Sequence, residues 1–374
     1  MEKVRLKQKE DRRLARGHLW AFRNEFEPLP PLADGQIVEV LSDTKKLVGR
    51  GFYQSDGGIA VRLLTRHADA IDGPFLRRRI ERARLFRERL FPASNVYRWI
   101  YGESDELPGL IADRFGSVVT VHSPCAFYGH VRAELANAFM EDTSVHSVRI
   151  AVGKDIQWFG EAVNPVSVTI NDLQFSINVE SGQKTGFYLD QRENCVDIAA
   201  YSGGARVLDG HCYNGLWSCH AAIGGASKVL AVDSSRPAIE TAMMNAVANG
   251  LEGIIKFECE DIQTVLRRGE QYDVVVLDPP ALAKSRAHVE KSLGVYQALN
   301  REAMKSLVSG GILVTSSCSH FVDMAAFMEM IKRAARAARR EVWVLSRKGA
   351  SRDHPVLLSM PETDYLTCVT LRVF

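Results

Sequence analysis

The chain has 374 residues, 46% of them hydrophobic and 25% charged, and its formal net charge is +2. This composition is typical of a globular protein with a sizeable core, and the length suits two or three domains. The first twenty residues are too charged for a signal peptide, and no apolar run approaches the roughly 18 residues that span a membrane. We therefore expect no membrane association.

The seven cysteines are scattered along the chain without a CxxC pair or zinc-like spacing. This pattern predicts free thiols, no metal site and a location in the reducing cytoplasm. A cysteine with a chemical role must therefore be recognised by its place in the fold.

The charge is distributed unevenly along the chain. Residues 1–100 carry 21 Lys and Arg against 13 Asp and Glu, whereas the remainder carries 26 against 32. A basic amino-terminal part on a nearly neutral chain favours an anionic partner such as nucleic acid, with a solvated basic face as the alternative.

Residues 1–72 are predicted to form a small β-barrel domain. The β-rich runs QIVEVLSD, LVGRGFYQ and IAVRLLTR are separated by LADG and SDGG turns. The first 24 residues hold eight Lys and Arg against three acids, and His18, Trp20 and Phe22 follow these charges. Basic side chains beside aromatic ones can bind phosphates and stack on bases, which makes Arg23 a candidate RNA contact. Trp20 and Phe22 are predicted to be core residues.

Residues 73–180 are predicted to form a central α+β domain. The segment FLRRRIERARLFRERLFP has apolar residues at helical spacing and seven arginines at other positions. It predicts an amphipathic helix whose arginine face is solvated or lies against RNA. Strands are expected near SVVTVHS, SVRIAV and LQFSINVE.

Residues 181–374 are predicted to form an α/β domain with a mostly parallel, doubly wound, Rossmann-like sheet. Strands RVLD, KVLAVD, IIKFE, DVVVLD and GILVTS alternate with helix-like segments near 216–223, 235–249, 261–268, 296–308 and 322–338. Such a sheet binds ligands at the carboxyl ends of its strands. Two further β runs, EVWVLS and TCVTLRVF, complete the domain.

Acidic residues stand at the ends of the first three strands of this domain. Asp209 ends the first strand, Asp233 ends the second, and Asp261 follows the third. The turn after Asp209 has one glycine in the turn proper, Gly215, which argues against a dinucleotide and for a smaller ligand without phosphates. Asp233 can accept hydrogen bonds from ribose hydroxyls, and Asp261 from an adenine amino group. Three carboxylates suit a positively charged nucleoside, so S-adenosylmethionine is the predicted cofactor; an ordinary strand–helix turn is the alternative.

Asp278 and Cys318 follow the fourth and fifth strands. Two prolines after Asp278 fix extended geometry and present its carboxylate to a planar polar group such as a base edge. Cys318 stands where the strand of GGILVTSSCSHF ends. A thiolate can add to an electron-poor ring carbon and make the neighbouring carbon nucleophilic, which is the chemistry that methylates carbon-5 of a pyrimidine. A structural turn and an inert, packed thiol are the alternatives.

Together these motifs resemble the bacterial large-subunit ribosomal RNA cytosine-5 methyltransferases with an amino-terminal PUA domain. GHLWAFRNE resembles the start of the PUA domain, and YRWIYGESDELPGLIADRFG resembles the central domain. GQKTGFYLDQREN, DPPALAKSR, SCSH and DHPVLLSMPETDYL resemble the methyltransferase, so the resemblance covers nearly the whole chain. It implies methylation of carbon-5 of a cytosine in 23S ribosomal RNA by a cytoplasmic enzyme that uses S-adenosylmethionine. A homodimer is left open.

The resemblance also implies roles for individual residues. Cys318 corresponds to the nucleophile and Asp278 to the residue that holds the target cytosine. Lys184 and Arg192 fall in the loop over the active site, where contacts with RNA phosphate or cofactor are expected. The implied cofactor-binding residues are Gln191, Asp209, Gly215, Asp233 and Asp261.

The chain departs from the family pattern in the turn after the first strand. The usual turn of the family has a sequence similar to D-L-F-C-Y-T-G-G-F, whereas this chain has DGHCYNGLW. The residues that are unusual there are Gly210, His211, Asn214 and Leu216. Two alternatives therefore stay open: an enzyme that methylates a base nitrogen without a covalent step, and a degenerate protein that binds ribosomal RNA without catalysis. No motif identifies the base that removes the carbon-5 proton.

Overall fold

The computed structural model describes residues 1–180, 185–283 and 285–374. These residues form two compact units, each built from segments that are distant in sequence. Unit 1 comprises Met1–Val168, Ile177–Phe187 and Arg352–Thr363, and unit 2 comprises Thr169–Ser176, Tyr188–Ser351 and Asp364–Phe374. The division into three domains with boundaries after residues 72 and 180 stays a prediction.

The first part of unit 1 is a five-stranded sheet with the order β1-β3-β4-β5-β2. Its elements are β1 (Glu2–Arg5), α1 (Arg12–Ala15), β2 (Trp20–Phe22), β3 (Ile37–Leu41), β4 (Leu47–Tyr53) and β5 (Ile59–Thr65). Backbone hydrogen bonds from Lys7 to Glu25 and from Glu27 to Arg5 join the segments that follow the two edge strands. The sheet therefore closes on itself, as the predicted barrel requires.

Alternating side chains of this barrel explain its core. In β3, Val38 and Val40 are fully buried, whereas their neighbours along the strand are only partly buried. This period of two is the one that a pleated strand imposes. Trp20 and Phe22, predicted as core residues, are half-buried, and Trp20 donates a hydrogen bond from its ring nitrogen to Glu103 at 2.8 Å.

The second part of unit 1 is another five-stranded sheet, with the order β10-β9-β8-β7-β6. Its elements are α2 (Gly73–Leu90), β6 (Val96–Tyr101), β7 (Ile111–Phe115), β8 (Val118–Ser123), α3 (Ala126–His130), α4 (Arg132–Met140), β9 (Ser147–Val152) and β10 (Asp155–Phe159). The side chain of Asp72 caps α2 by accepting a hydrogen bond from the Phe75 amide at 2.9 Å. A hairpin of β11 (Val166–Ile170) and β12 (Leu173–Ile177) contributes residues to both units.

Most of the arginines of α2 are engaged in ion pairs within unit 1. Five of the seven pair with glutamates or an aspartate. Arg87 is fully buried and donates two hydrogen bonds to Asp105, at 2.6 and 2.7 Å. The structure therefore assigns much of the positive charge of this helix to internal pairing, which neither of the two sequence interpretations had considered.

Unit 2 contains a seven-stranded sheet with the order β15-β14-β13-β16-β17-β19-β18. Its strands are β13 (Arg206–Gly210), β14 (Lys228–Asp233), β15 (Ile255–Cys259), β16 (Tyr272–Leu277), β17 (Leu307–Ser317), β18 (Val342–Lys348) and β19 (Thr367–Val373). Its helices are α5 (Ala199–Ser202), α6 (Leu216–Ile223), α7 (Arg236–Ala248), α8 (Ile262–Leu266), α9 (Val289–Lys305) and α10 (Met324–Ala338). The first five strands run parallel, and β19 is antiparallel to both of its neighbours. The predicted α/β class and mostly parallel sheet are confirmed.

Two elements of this unit begin earlier than predicted, and both continue through a glycine. Helix α9 begins at Val289 instead of near residue 296, and it continues through Gly294 because Tyr296, Leu299 and Ala303 are buried at helical spacing. Strand β17 includes Gly310, whose φ of 81° accompanies a shift in the pairing with β16. The residues before the predicted strand GILVTS are thus an irregular part of β17. None of the helices in the described residues is long and apolar enough to cross a membrane.

We predict that the ion pair of Arg87 dominates the contribution of the α2 arginines to stability. Arg87→Met leaves the Asp105 carboxylate buried without its partner, so the free energy of unfolding should fall by about 3–5 kcal/mol. Arg84→Met, on the same helix, removes pairs with Glu81 and Glu88 that are more exposed, and it should lower the free energy by less than about 1 kcal/mol. Urea denaturation of both variants measures the two values, and equal losses would contradict the prediction.

Candidate functional site

Five residues predicted from sequence lie at one edge of the sheet in unit 2. Asp209 and Asp233 stand at the ends of β13 and β14, and Asp261, Asp278 and Cys318 follow β15, β16 and β17. These strands are parallel neighbours, so their carboxyl ends meet along the same edge. The edge therefore combines four carboxylates and a thiol.

The turn after β13 has an unusual backbone. His211 and Tyr213 adopt positive φ angles of 64° and 46°, and Gly215 follows with 81°. Non-glycine residues seldom occupy this region, and such strain is concentrated at functional sites. A Cβ on Gly215 would also lie 3.3 Å from the Cβ of Ala242. The glycine is thus required both by conformation and by close approach of α7.

Gly210, which departs from the family pattern, has a packing explanation. A Cβ at this position would lie 2.7 and 2.8 Å from two side-chain carbons of Ile262. Because real Cβ atoms do not approach other atoms so closely, Ile262 occupies the space that a larger residue at 210 would need. The departure is therefore compensated by the first residue of α8.

Asp209 is fully buried, and one of its oxygens has no protein partner. Its Oδ2 accepts a hydrogen bond from the Ser218 hydroxyl at 2.5 Å, whereas its Oδ1 is buried without a hydrogen bond. Burial raises the pKa of this carboxyl to about 7, and the nearby Asp278 contributes in the same direction. A buried acceptor without a partner is unfavourable, so the position fits a ligand that brings a donor or a positive charge.

Asp233 and Asp261 accept hydrogen bonds from nearby backbone amides, a structural role that the sequence did not predict. Asp233 accepts hydrogen bonds from the Tyr213 amide at 3.1 Å and the Ser235 amide at 2.8 Å. Asp261 caps α8 by accepting from the amides that follow it, at 2.8 and 3.3 Å. Contacts of these two carboxylates with ribose and adenine stay predictions.

The Asp278 carboxyl is held by three side-chain donors. Its Oδ1 accepts from Gln191 Nε2 at 3.1 Å and from the Ser316 hydroxyl, and its Oδ2 accepts from Trp217 Nε1 at 3.2 Å. Burial raises the pKa of Asp278. Gln191, implied to bind cofactor, is thus placed against the residue implied to hold the base. It also accepts a hydrogen bond from Asn194 at 2.7 Å.

Ser316 and Trp217 were missed by sequence reasoning, but one of them left a signal. Ser316 stands two residues before Cys318, and alternation along a strand places residues of this spacing on one face. Trp217 is in the first turn of α6, directly after the strained turn, where nothing in the sequence distinguishes it from a core tryptophan.

Cys318 lies beside the residues that follow β16. Its thiol is half-buried and lies 3.7 Å from the backbone carbonyl oxygen of Pro279, the residue after Asp278. Tyr188, also missed by sequence reasoning, packs edge-on against Tyr213 with ring centroids 5.0 Å apart. Burial raises the pKa of Tyr188, and the charges of Cys318 and Asp278 act in the same direction. Tyr188 is therefore close enough to Cys318 and Asp278 for their charges to act on it.

The residues predicted to contact RNA have different surroundings. Arg23 donates hydrogen bonds to the carbonyl oxygens of Gln54 and Ser55, at 2.7 and 2.8 Å, and so fixes a turn of the barrel. The side chain of Arg192 is only 3% exposed, so a phosphate could reach it only after local opening. Lys184 lies outside the described residues. The three RNA contacts stay predictions.

Unit 1 offers another basic surface, which sequence reasoning did not identify. A groove of about 670 Å³ lies between the segment around α1 and the turn that joins β3 to β4. Lys9, Arg12, Lys46 and Arg66 line it together with Asp11 and Asp43. We call this surface the barrel groove. Its concave shape and excess of basic side chains suit a phosphate chain.

Comparison with known families matches both parts of the chain. Residues 4–66 match the model of a PUA-like domain, and residues 142–346 match that of an S-adenosylmethionine-dependent methyltransferase. Over 383 residues the chain is 34% identical to Ribosomal RNA large subunit methyltransferase I of Alteromonas mediterranea, covering 97% of this chain and 96% of that protein. The protein of the same name from Shewanella denitrificans is 33% identical over 395 residues, covering 100% and 99%.

Solved structures share the fold over the whole chain. SMU.776, described as a methyltransferase and solved in complex with SAH, superposes with a TM-score of 0.89 at 19% identity and covers all of both chains. A SAM-dependent methyltransferase from Streptococcus mutans has a TM-score of 0.87, again with 19% identity and complete coverage of both chains.

We predict that ionisation of Asp209 destabilises the fold. An aspartate in the unfolded chain loses its proton near pH 3.8, whereas in the fold the pKa is about 7, so the folded state binds more protons between these values. The contribution of Asp209 to stability should therefore decrease by on the order of 4 kcal/mol as the pH rises from about 4 to 7, and it should level off above that.

Asp209→Asn removes this titration and isolates its effect. The free energy of unfolding of the variant relative to wild type should increase from pH 5 to pH 8, as measured by urea denaturation. Asp172→Asn, at an exposed position in unit 2, is the control and should show a constant difference. A constant difference for Asp209→Asn as well would mean that the carboxyl does not titrate in this range.

Proposed function

Because the chain belongs to the Ribosomal RNA large subunit methyltransferase I family, we propose that it methylates carbon-5 of a cytosine in 23S ribosomal RNA through a covalent adduct with Cys318. S-adenosylmethionine is its cofactor, in keeping with the methyltransferase match over residues 142–346. The observation that carries the proposal is the position of the Cys318 thiol, 3.7 Å from the carbonyl oxygen of Pro279, the residue that follows Asp278.

The residues at the carboxyl edge fit a cationic nucleoside cofactor. The partnerless Oδ1 of Asp209 offers a buried acceptor, and the turn up to Gly215 brings backbone close to α7. Asp209, Gly215, Asp233 and Asp261 would hold the cofactor, with Gln191 acting from the Asp278 side. When bound, the cofactor supplies an electrophilic methyl group on a positively charged sulfur.

The target cytosine must leave its stack to reach this edge, because its ring carbons are inaccessible inside a helix. Asp278 then holds the N3 and N4 edge of the base. Burial raises the pKa of this carboxyl, which favours a proton that it can share with N3. Three donors keep the carboxyl in one orientation, so the base is positioned relative to Cys318.

Cys318 acts as the nucleophile in this proposal. Its thiolate adds to carbon-6, and the electron density moves to carbon-5, which becomes able to accept a methyl group. Loss of the carbon-5 proton then restores the aromatic ring and expels the thiolate. Tyr188 offers an aromatic face beside the thiol on which the base can stack.

Unit 1 supplies RNA binding in this proposal. The PUA-like match over residues 4–66 contains all of the residues that line the barrel groove. Lys and Arg that contact phosphates contribute affinity without reading sequence, so the groove would position the RNA. Arg23, Arg192 and Lys184 are further candidate contacts.

We predict that Cys318→Ala abolishes methyl transfer. Incubated with S-adenosylmethionine and RNA that contains 5-fluorocytosine, wild type should form an adduct that survives denaturing electrophoresis, because fluorine cannot leave as a cation. Cys318→Ala should form none, whereas Cys219→Ala, which changes a buried thiol in α6, should still form it. Calorimetry with the cofactor checks that each variant keeps its binding site.

The same experiment discriminates between the functions. An adduct with Cys318→Ala would identify another nucleophile. Methylation of natural RNA by wild type, without any adduct on the fluorinated RNA, would instead favour transfer to a base nitrogen.

We predict that charge reversal in the barrel groove weakens RNA binding in a salt-dependent manner. Lys9→Glu combined with Lys46→Glu should lower affinity for 23S RNA fragments and reduce the slope of log affinity against log salt by about 2, because each lost phosphate contact changes the slope by about 1. The control, Lys154→Glu, changes an exposed lysine between β9 and β10 and should leave the slope nearly unchanged. An unchanged slope in the double variant would show that RNA does not use the groove.

A further inference from the structure

The covalent route needs a base for the carbon-5 proton, and a hydroxyl–carboxylate pair in unit 2 offers one. The Tyr365 hydroxyl donates a hydrogen bond to Asp190 Oδ2 at 2.5 Å. Asp190 is only 8% exposed, and its backbone carbonyl accepts from the Ser351 amide at 2.8 Å. The pair is therefore held in place by both a side-chain and a backbone hydrogen bond.

The Tyr365–Asp190 pair lies near the segments that carry Cys318 and Asp278. The ring of Tyr365 packs against His320, two residues after Cys318, with ring centroids 5.3 Å apart. The negative charge of Asp190 contributes to the raised pKa values of Asp278 and Tyr188. Asp190 also directly precedes Gln191 in one short helix, and Gln191 donates a hydrogen bond to Asp278 at 3.1 Å, so the pair lies close to the carboxyl of the candidate site.

Other carboxylates at this edge are less suited to accept the proton. Asp278 already accepts hydrogen bonds from Gln191, Ser316 and Trp217, and in the proposed function it holds the base. Asp233 accepts from two backbone amides, which cannot pass a proton on. The hydroxyl partners of Asp209 and Asp278 are serines, whereas the partner of Asp190 is the phenol of Tyr365. A phenol gives up its proton more readily than an aliphatic alcohol, and it can accept one proton while it donates another.

We propose that Tyr365, backed by Asp190, removes the proton from carbon-5 of the methylated cytosine. The inference depends on the covalent route of the proposed function. The carbon-5 proton moves to the Tyr365 oxygen as the hydroxyl proton moves to Asp190 Oδ2. The electron pair of the C–H bond forms the carbon-5 to carbon-6 double bond, and the sulfur of Cys318 leaves with the electrons of its bond to carbon-6. Tyr365 is the catalytic residue, and Asp190 is the positioning residue that receives the proton.

Tyr365→Phe tests the proposal because it removes the relay and keeps the ring. With natural 23S RNA and methyl-labelled S-adenosylmethionine, this variant should accumulate a labelled adduct that survives denaturing electrophoresis, whereas wild type should release its product. Turnover should fall by about 10²–10⁴-fold, the usual contribution of a general base. A merely structural role would lower turnover without such an adduct.

Three further variants complete the design. Asp190→Asn should also accumulate the labelled adduct, because it keeps the shape of the pair but accepts a proton poorly. Cys318→Ala combined with Tyr365→Phe should form none, which places the adduct on this thiol. Tyr201→Phe, a tyrosine of α5 outside the pair, should turn over like wild type.

The outcomes separate the inference from the proposed function. If wild type forms the adduct with 5-fluorocytosine RNA, but Tyr365→Phe and Asp190→Asn bind cofactor and RNA without accumulating an adduct on natural RNA, the relay is wrong and the covalent route stands. If wild type forms no adduct with the fluorinated RNA, the covalent route fails, and the relay fails with it.

Discussion

The hydrogen bonds of the Asp278 carboxyl hold the candidate site together. Their donors come from the turn at Gln191, from α6 and from β17, so one carboxyl connects three segments of unit 2. Burying a carboxyl without partners is unfavourable by several kcal/mol, and three donors offset much of that penalty. The arrangement is stable only when all three segments are in place, so the geometry at Cys318 depends on hydrogen bonds made well away from the thiol.

The fold could be predicted from sequence wherever a periodic apolar pattern was bounded by residues that usually end a helix or strand. The strands of the parallel sheet and the long helix α2 were predicted within a few residues, because β-branched runs and helical spacing are local signals. Helix α9 and strand β17 begin earlier than predicted because tertiary packing extends each of them through a glycine, which has a low local preference for both structures. The sequence could not predict that each unit is built from three separate segments of the chain, because contacts between distant segments leave no local signal.

The sequence predicted the residues of the candidate site that stand at strand ends, but it did not predict the residues that support them. Asp209, Asp278 and Cys318 could be found because parallel strands present their carboxyl ends together. Trp217 and Tyr365 could not, because an aromatic residue in a core and one that donates to a carboxylate have the same sequence appearance. The distribution of charged residues along the sequence was misleading in the same way. The arginines of α2 are the most conspicuous basic cluster, yet most of them pair with acidic residues of unit 1. The barrel groove is less conspicuous in the sequence because its basic residues are mixed with acidic ones.

Similar acidic residues along one edge can have different roles because their surroundings differ. Asp261 is exposed and caps a helix. Asp209 is buried, one of its oxygens has no hydrogen bond, and its pKa is raised to about 7. A cationic ligand or a proton would offset the cost of burying its negative charge. Asp278 is surrounded by donors that fix its direction, which suits the recognition of a base. Asp190 accepts from the phenol of Tyr365, which is more acidic than the serine hydroxyls on Asp209 and Asp278 and suits the movement of a proton. The proposed function requires a site that binds a cation, orients a base and removes a proton, and neighbours such as Ser218, Ser316 and Tyr365 supply the differences that it needs.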